Sequence, residues 1–126
     1  MIKEWLAVAI GGAIGASMRH AINIAFVSSG LSWLPIATLV ANLVGCFSIG
    51  ALAQWSLQED ASSNWWVTGA RVGLLGGLTT FSSFALEIFK LWEAEKMSWS
   101  LSLTAAHVVI GILSVWLGVQ AIKGFS

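Results

Sequence analysis

A chain of 126 residues in which 57% are hydrophobic and 10% charged carries less than half the charge of an ordinary soluble domain, where about a quarter of residues are charged. That balance reads as an integral membrane protein. The formal net charge is zero and no basic run is present, which excludes a nucleic-acid partner and a polybasic lipid anchor.

The first apolar run extends from Trp5 to Phe26. Lys3 in front of it imitates a secretory signal, but the run exceeds a signal's apolar region and Arg19-His20 would sit badly at a cleavage site, so it reads as a retained span. The second runs from Trp33 to Leu57, the third from Trp65 to Trp92 and the fourth from Trp99 to Ile122. Each approaches or exceeds the roughly 20 apolar residues a helix needs to cross a bilayer core. Trp5, Trp33, Trp55, Trp65, Trp66, Trp92 and Trp99 stand at or near the borders, where an amphipathic ring prefers the headgroup level; Trp116 lies outside that pattern. The connections, Val27 to Ser32, Gln58 to Asn64 and Glu93 to Ser98, are short and polar. Residues 1–126 therefore read as a single transmembrane domain.

The third span is the least ordinary. From Gly73 to Phe84 it reads GLLGGLTTFSSF, with helix-weakening glycines against a run of hydroxyls. One reading makes Gly69, Gly73 and Gly77 packing notches at the four-residue spacing that lets membrane helices approach closely. The other breaks the helix between Gly76 and Thr80. A broken helix at membrane depth is tolerated only in protein or beside a hydrated cavity, and such breaks are where transporters and channels place ions.

Polar side chains inside spans are functional candidates because lipid burial is costly. Arg19 is either an interfacial anchor or a positive vestibule for anions. Asn42 lies too deep to reach an interface, so its amide either joins a neighbouring helix or donates N–H to a solute. Glu87 is the acid well inside a span, and pairing with Lys90 three residues on is its plain explanation. Phe81 and Phe84 share a helix face among Ser82 and Ser83, and a ring edge is weakly positive. No acidic ring favours a cation. His20 and His107 lack an acidic companion at ligand spacing, the lone Cys46 excludes a disulfide or a thiolate cluster, and no Ser-His-Asp pattern is visible. The chain reads as a non-enzyme.

An even number of spans places Lys3, Lys123 and Arg71 on one side and Arg19, Lys90 and Lys96 on the other. The basic-residue rule for orientation is thus balanced. Either the span edges lie elsewhere and hide a real bias, or the chain inserts in both orientations and assembles as an antiparallel pair. Gly11 with Gly15, Gly12 with Ala16, and Ala41 with Gly45 offer small-residue faces for close association.

Three blocks carry a family resemblance: Gly11-Gly12-Ala13-Ile14-Gly15-Ala16-Ser17-Met18-Arg19, Thr38-Leu39-Val40-Ala41-Asn42-Leu43-Val44-Gly45, and Gly76-Gly77-Leu78-Thr79-Thr80-Phe81-Ser82-Ser83-Phe84 with Glu87. In order and placement they resemble the signature of the Fluc family of fluoride channels, also called CrcB proteins. The resemblance implies an all-α membrane protein with four transmembrane helices and a break in the third, assembled as an antiparallel, dual-topology homodimer. It implies passive fluoride export across the bacterial plasma (inner) membrane through two pores per dimer, relieving fluoride toxicity. By motif match, Phe81 and Phe84 would turn ring edges to fluoride, Asn42 would donate to it, and Ser82, Ser83 and Thr38 would line the polar path. Arg19 would serve the vestibule. Backbone carbonyls of Gly76 and Thr79 would hold a structural sodium ion at the two-fold, and Glu87 and His107 are left without a fixed role. Ser83 stands where threonine is frequent and Ala41 where valine is. The rival reading, a small multidrug exporter, would look for a carboxylate in the first span, and none lies between Trp5 and Arg19.

Overall fold

The computed structural model describes residues 1–30 and 35–124; Trp33, expected to open the second span, lies outside the described residues. Four helices long and apolar enough to cross a membrane account for nearly all of them: α1 (Ile2–Ser28), α2 (Ile36–Gln58), α3 (Trp65–Glu93) and α4 (Met97–Lys123). Among the described residues there is no strand. Three of the helices, α1, α3 and α4, overrun the apolar stretches that announce them. α1 starts at Ile2, with Glu4 in its first turn, where a carboxylate complements the helix dipole.

α3 is a composite. It begins as an α-helix at Trp65–Thr68, widens to a π-helix over Gly69–Leu75, and closes to one α-turn at Gly76–Leu78. Thr79 (φ −85°, ψ 154°) and Thr80 (φ −153°, ψ 120°) are extended, and an amphipathic helix resumes at Phe81–Glu93. The break is therefore narrower than the interval Gly76 to Thr80. Gly76 is helical at φ −65°, ψ −34°, so the glycines do not themselves uncoil the chain. α4 has a second widened turn at Ala106–Ile110. Neither π segment has a composition signal, because both come from a shift of hydrogen-bond register rather than from a helix-breaking residue.

The glycines serve contact instead. α1 lies along the first half of α3, and α2 along the last part of α4. A Cβ on Gly11 would fall 2.6 Å from the Gly69 carbonyl oxygen, on Gly73 2.6 Å from that of Val8, and on Gly77 2.6 Å from that of Gly12. Gly50 and Gly118 play the same part between α2 and α4, against Val115 and Phe47. The Gly11 and Gly15 face, expected to favour association between copies, is thus occupied within the chain. Helices whose apolar sides already face lipid gain little from hydrophobic burial, so backbone approach of this kind is what holds them.

The interior is correspondingly thin. Ala41, Leu75 and Leu78 form its centre, with Ile22, Ile49 and Leu52 packed against them. Trp5, Trp65, Trp92 and Trp99 are exposed near helix ends, as an interfacial belt requires. Trp55 turns instead to Trp66, with ring centroids 5.2 Å apart.

Candidate functional site

The break in α3 removes helical partners from several backbone groups, and three other residues replace them. The Thr80 N–H, which would otherwise close a turn onto Gly76, donates to Asn42 Oδ1 at 2.8 Å. Asn42 Nδ2 donates back to the Thr80 carbonyl at 3.1 Å. One amide side chain thus mimics a strand partner for one residue. Arg19 Nε donates to the Gly77 carbonyl at 3.1 Å, where the last turn before the break leaves acceptors exposed. Thr80 then caps the next helix, its Oγ1 accepting from the Ser83 N–H at 3.2 Å.

These bonds assign roles that the sequence left open. Asn42 joins two helices, and an amide carries two N–H groups, so one remains beyond the bond to Thr80. Arg19 is held to the break rather than reaching for the helix end. Glu87 does not pair with Lys90. Its Oε1 accepts from Thr38 Oγ1 at 2.5 Å, across from α2, while Oε2 is buried without a partner. Thr80 is the member of the site that sequence reasoning passed over. A hydroxyl three residues before Ser83, at the start of an amphipathic run, is the N-cap signal that marks it.

Two cavities flank the break. The first, about 390 Å³, is polar and is lined by Arg19, His20, Thr38, Thr80, Ser83 and Glu87, among others. The second, about 370 Å³, is lined by Asn42, Thr79, Thr80, Phe81, Phe84 and His107, with Gly76 and Arg71 also on its wall. Thr80 belongs to both. The candidate residues, a single list in the sequence, therefore sort into a polar chamber and an aromatic chamber that meet at Thr80. Ser82 stands apart. It is exposed, with its hydroxyl 3.1 Å from Thr80 Oγ1.

The aromatic chamber contains a ladder of rings. Phe81 and Phe84 centroids are 5.6 Å apart at 58°, and Phe84 and His107 are 4.3 Å apart at 39°. Phe81 is 78% exposed, so its outer side faces whatever lies beyond this chain.

For a hard cation the donor set is suitable. Gly76 has lost its helical donor to Asn42, and Thr79 has lost its own, the Ser83 N–H, to Thr80 Oγ1. Both carbonyls keep lone pairs of the kind that sodium or calcium accepts. Among the described residues no group of His, Cys, Asp or Glu side chains could hold a metal, which leaves the backbone.

Residues 6–119 match the family described as CrcB-like protein, Camphor Resistance (CrcB). The chain belongs to the CrcB family. Over 111 residues it is 36% identical to a fluoride-specific ion channel, FluC, of Saccharophagus degradans, which covers 88% of this chain and 83% of that protein. A protein of the same name from Pseudomonas aeruginosa (strain UCBPP-PA14) is 37% identical over 118 residues, 94% of this chain and 92% of its own. Another from Escherichia coli O1:K1 is 36% identical over 118 residues, 94% and 93%. CrcB membership makes this an integral membrane protein of a channel family and not an enzyme. The matched interval takes in Arg19, Asn42, the break and His107.

Proposed function

We propose that the chain is a passive, fluoride-selective channel that exports fluoride from the bacterial cytoplasm across the inner membrane. The observation that carries the reading is the break at Thr79 and Thr80, held open by Asn42, with a polar chamber on one side and a phenylalanine pair on the other. Its relatives are named as fluoride channels. A small, strongly hydrated anion needs replacement donors at each step, and they must be weak enough to release it. Hydroxyls from Ser82 and Ser83, the second N–H of Asn42 and the ring edges of Phe81 and Phe84 are such donors, while the Thr38 hydroxyl, its hydrogen given to Glu87, lines the polar chamber. Arg19 supplies positive charge to the polar chamber.

The functional unit is an antiparallel homodimer with two pores. Two features support this. Phe81 is open to the outside, and a Cβ on Gly76 would meet only the Arg71 carbonyl oxygen at 3.9 Å. A glycine without an internal neighbour, next to carbonyls without donors, suits close approach by a second copy. There the carbonyls of Gly76 and Thr79 from both copies would hold a sodium ion, whose charge fixes the paired breaks.

The test is fluoride efflux from liposomes containing the purified protein, with chloride in parallel, for the native chain and for Phe81→Ile. The reading expects rapid fluoride efflux, little chloride efflux, and at least a tenfold loss in the variant, about 1.4 kcal/mol in barrier. Equal fluoride and chloride rates would sink it.

A further inference from the structure

His107 is the second residue of the widened turn Ala106–Ile110 in α4, and a π-turn in an otherwise regular helix often marks a functional position. Its ring extends the Phe81 and Phe84 pair into a ladder of three. It lines the aromatic chamber together with Asn42. Its Nδ1 lies 3.0 Å from the Leu103 carbonyl oxygen of its own helix. A carbonyl oxygen can only accept, so this bond requires the hydrogen to be on Nδ1. The tautomer is then fixed. In the neutral ring the other nitrogen, Nε2, carries a lone pair and no hydrogen, and that atom is buried without a partner in the chain.

A lone pair repels an anion. The imidazolium, by contrast, presents an N–H and a positive charge at the same place. We propose that His107 is a proton-controlled charge beside the permeating anion: neutral, it offers fluoride in the aromatic chamber no attraction, and protonated, it sets a positive charge on the chamber wall that fluoride passes. The proton stays on the ring and fluoride alone moves, so the device sets the rate without coupling fluoride to proton transport. This rests on the fluoride reading above.

The other ionisable side chains on the wall of this chamber are Cys46 from α2 and Arg71 from the first half of α3. The half of α3 that carries Phe84 contributes none here, since Glu87 faces the other chamber. α4 contributes His107 alone.

The experiment measures sodium fluoride efflux from liposomes at matched internal and external pH, near pH 8 and near pH 5, with the leak of protein-free vesicles subtracted. Native chain, Cys46→Ala and His107→Gln are compared. The native rate and that of Cys46→Ala should rise about fivefold or more on acidification. His107→Gln carries no titrating charge, and its rate should change by less than about twofold. A native rate indifferent to pH, or a His107→Gln profile parallel to the native one, overturns the inference and leaves the channel standing. Absence of native fluoride flux at both pH values overturns the functional reading, and the inference with it.

A second measurement holds if His107→Gln fails to assemble. Nitrogen-15 NMR of labelled histidine in bicelles, assigned with His20→Asn, follows protonation of the His107 ring directly. By linkage, a ring that binds fluoride better when protonated must be protonated more readily when fluoride is present. Sodium fluoride should therefore shift the titration of His107 upward relative to sodium gluconate, and an unchanged titration overturns the proposal.

Discussion

Asn42 has two tasks that belong to one side chain. Its carbonyl oxygen and one N–H hold both backbone groups of Thr80, and its remaining N–H is the donor we propose for fluoride. Asn42→Asp keeps the acceptor for the Thr80 N–H but loses both N–H groups, the one on the Thr80 carbonyl included, so fluoride efflux should collapse while the purified protein, with half of the clamp left, still unfolds cooperatively. Asn42→Leu leaves both Thr80 groups unpaired, at about 1–3 kcal/mol each, and should lower the melting temperature in detergent as well. If Asn42→Leu melts with the native protein, the clamp is not holding the break. The amide's depth was legible in the sequence, and so was its ambiguity between glue and donor. The partner was not, since nothing in the local pattern says which backbone group in the third span will be left without a bond. The same limit hid the bond from Thr38 to Glu87, which a rule about neighbours on one helix replaced with Lys90.

At the scale of the helix, the sequence offered packing notches and a broken span as competing accounts of one glycine run. Both are present, on different residues. Gly69, Gly73 and Gly77 meet α1, and the extended backbone is confined to Thr79 and Thr80. Two adjacent glycines should therefore respond differently. Gly77→Ala drives a methyl against the Gly12 carbonyl, a backbone atom that cannot move aside cheaply, and overpacking of this kind costs about 1–3 kcal/mol. Gly76→Ala meets only the Arg71 carbonyl oxygen, at an ordinary contact distance of 3.9 Å, and should leave the fold of the single chain intact while weakening association with a second copy. Thermal melting and chemical cross-linking of the two variants, side by side, read these outcomes. A Gly76→Ala protein that cross-links like the native one removes this glycine from the interface. The span count and the place of the break were readable because hydropathy and turn chemistry are local. The π turns were not, because a register shift changes no residue type.

For the whole molecule, the balance of Lys3, Lys123 and Arg71 against Arg19, Lys90 and Lys96 leaves insertion undecided, and that balance should be easily tipped. Two lysines added beside Lys3 should drive one orientation. Alone, such a chain should lose most fluoride efflux; co-expressed with a variant biased the opposite way, it should recover. Activity in a uniformly oriented preparation would count against the antiparallel pair. The fold also carries a consequence for its own biogenesis. Both side chains from another helix that hydrogen-bond to the backbone at the break of α3, Arg19 to Gly77 and Asn42 to Thr80, stand earlier in the chain. The third span thus emerges from the ribosome after its partners are already in the bilayer. A backbone gap that lipid could not tolerate for long is closed by residues made first.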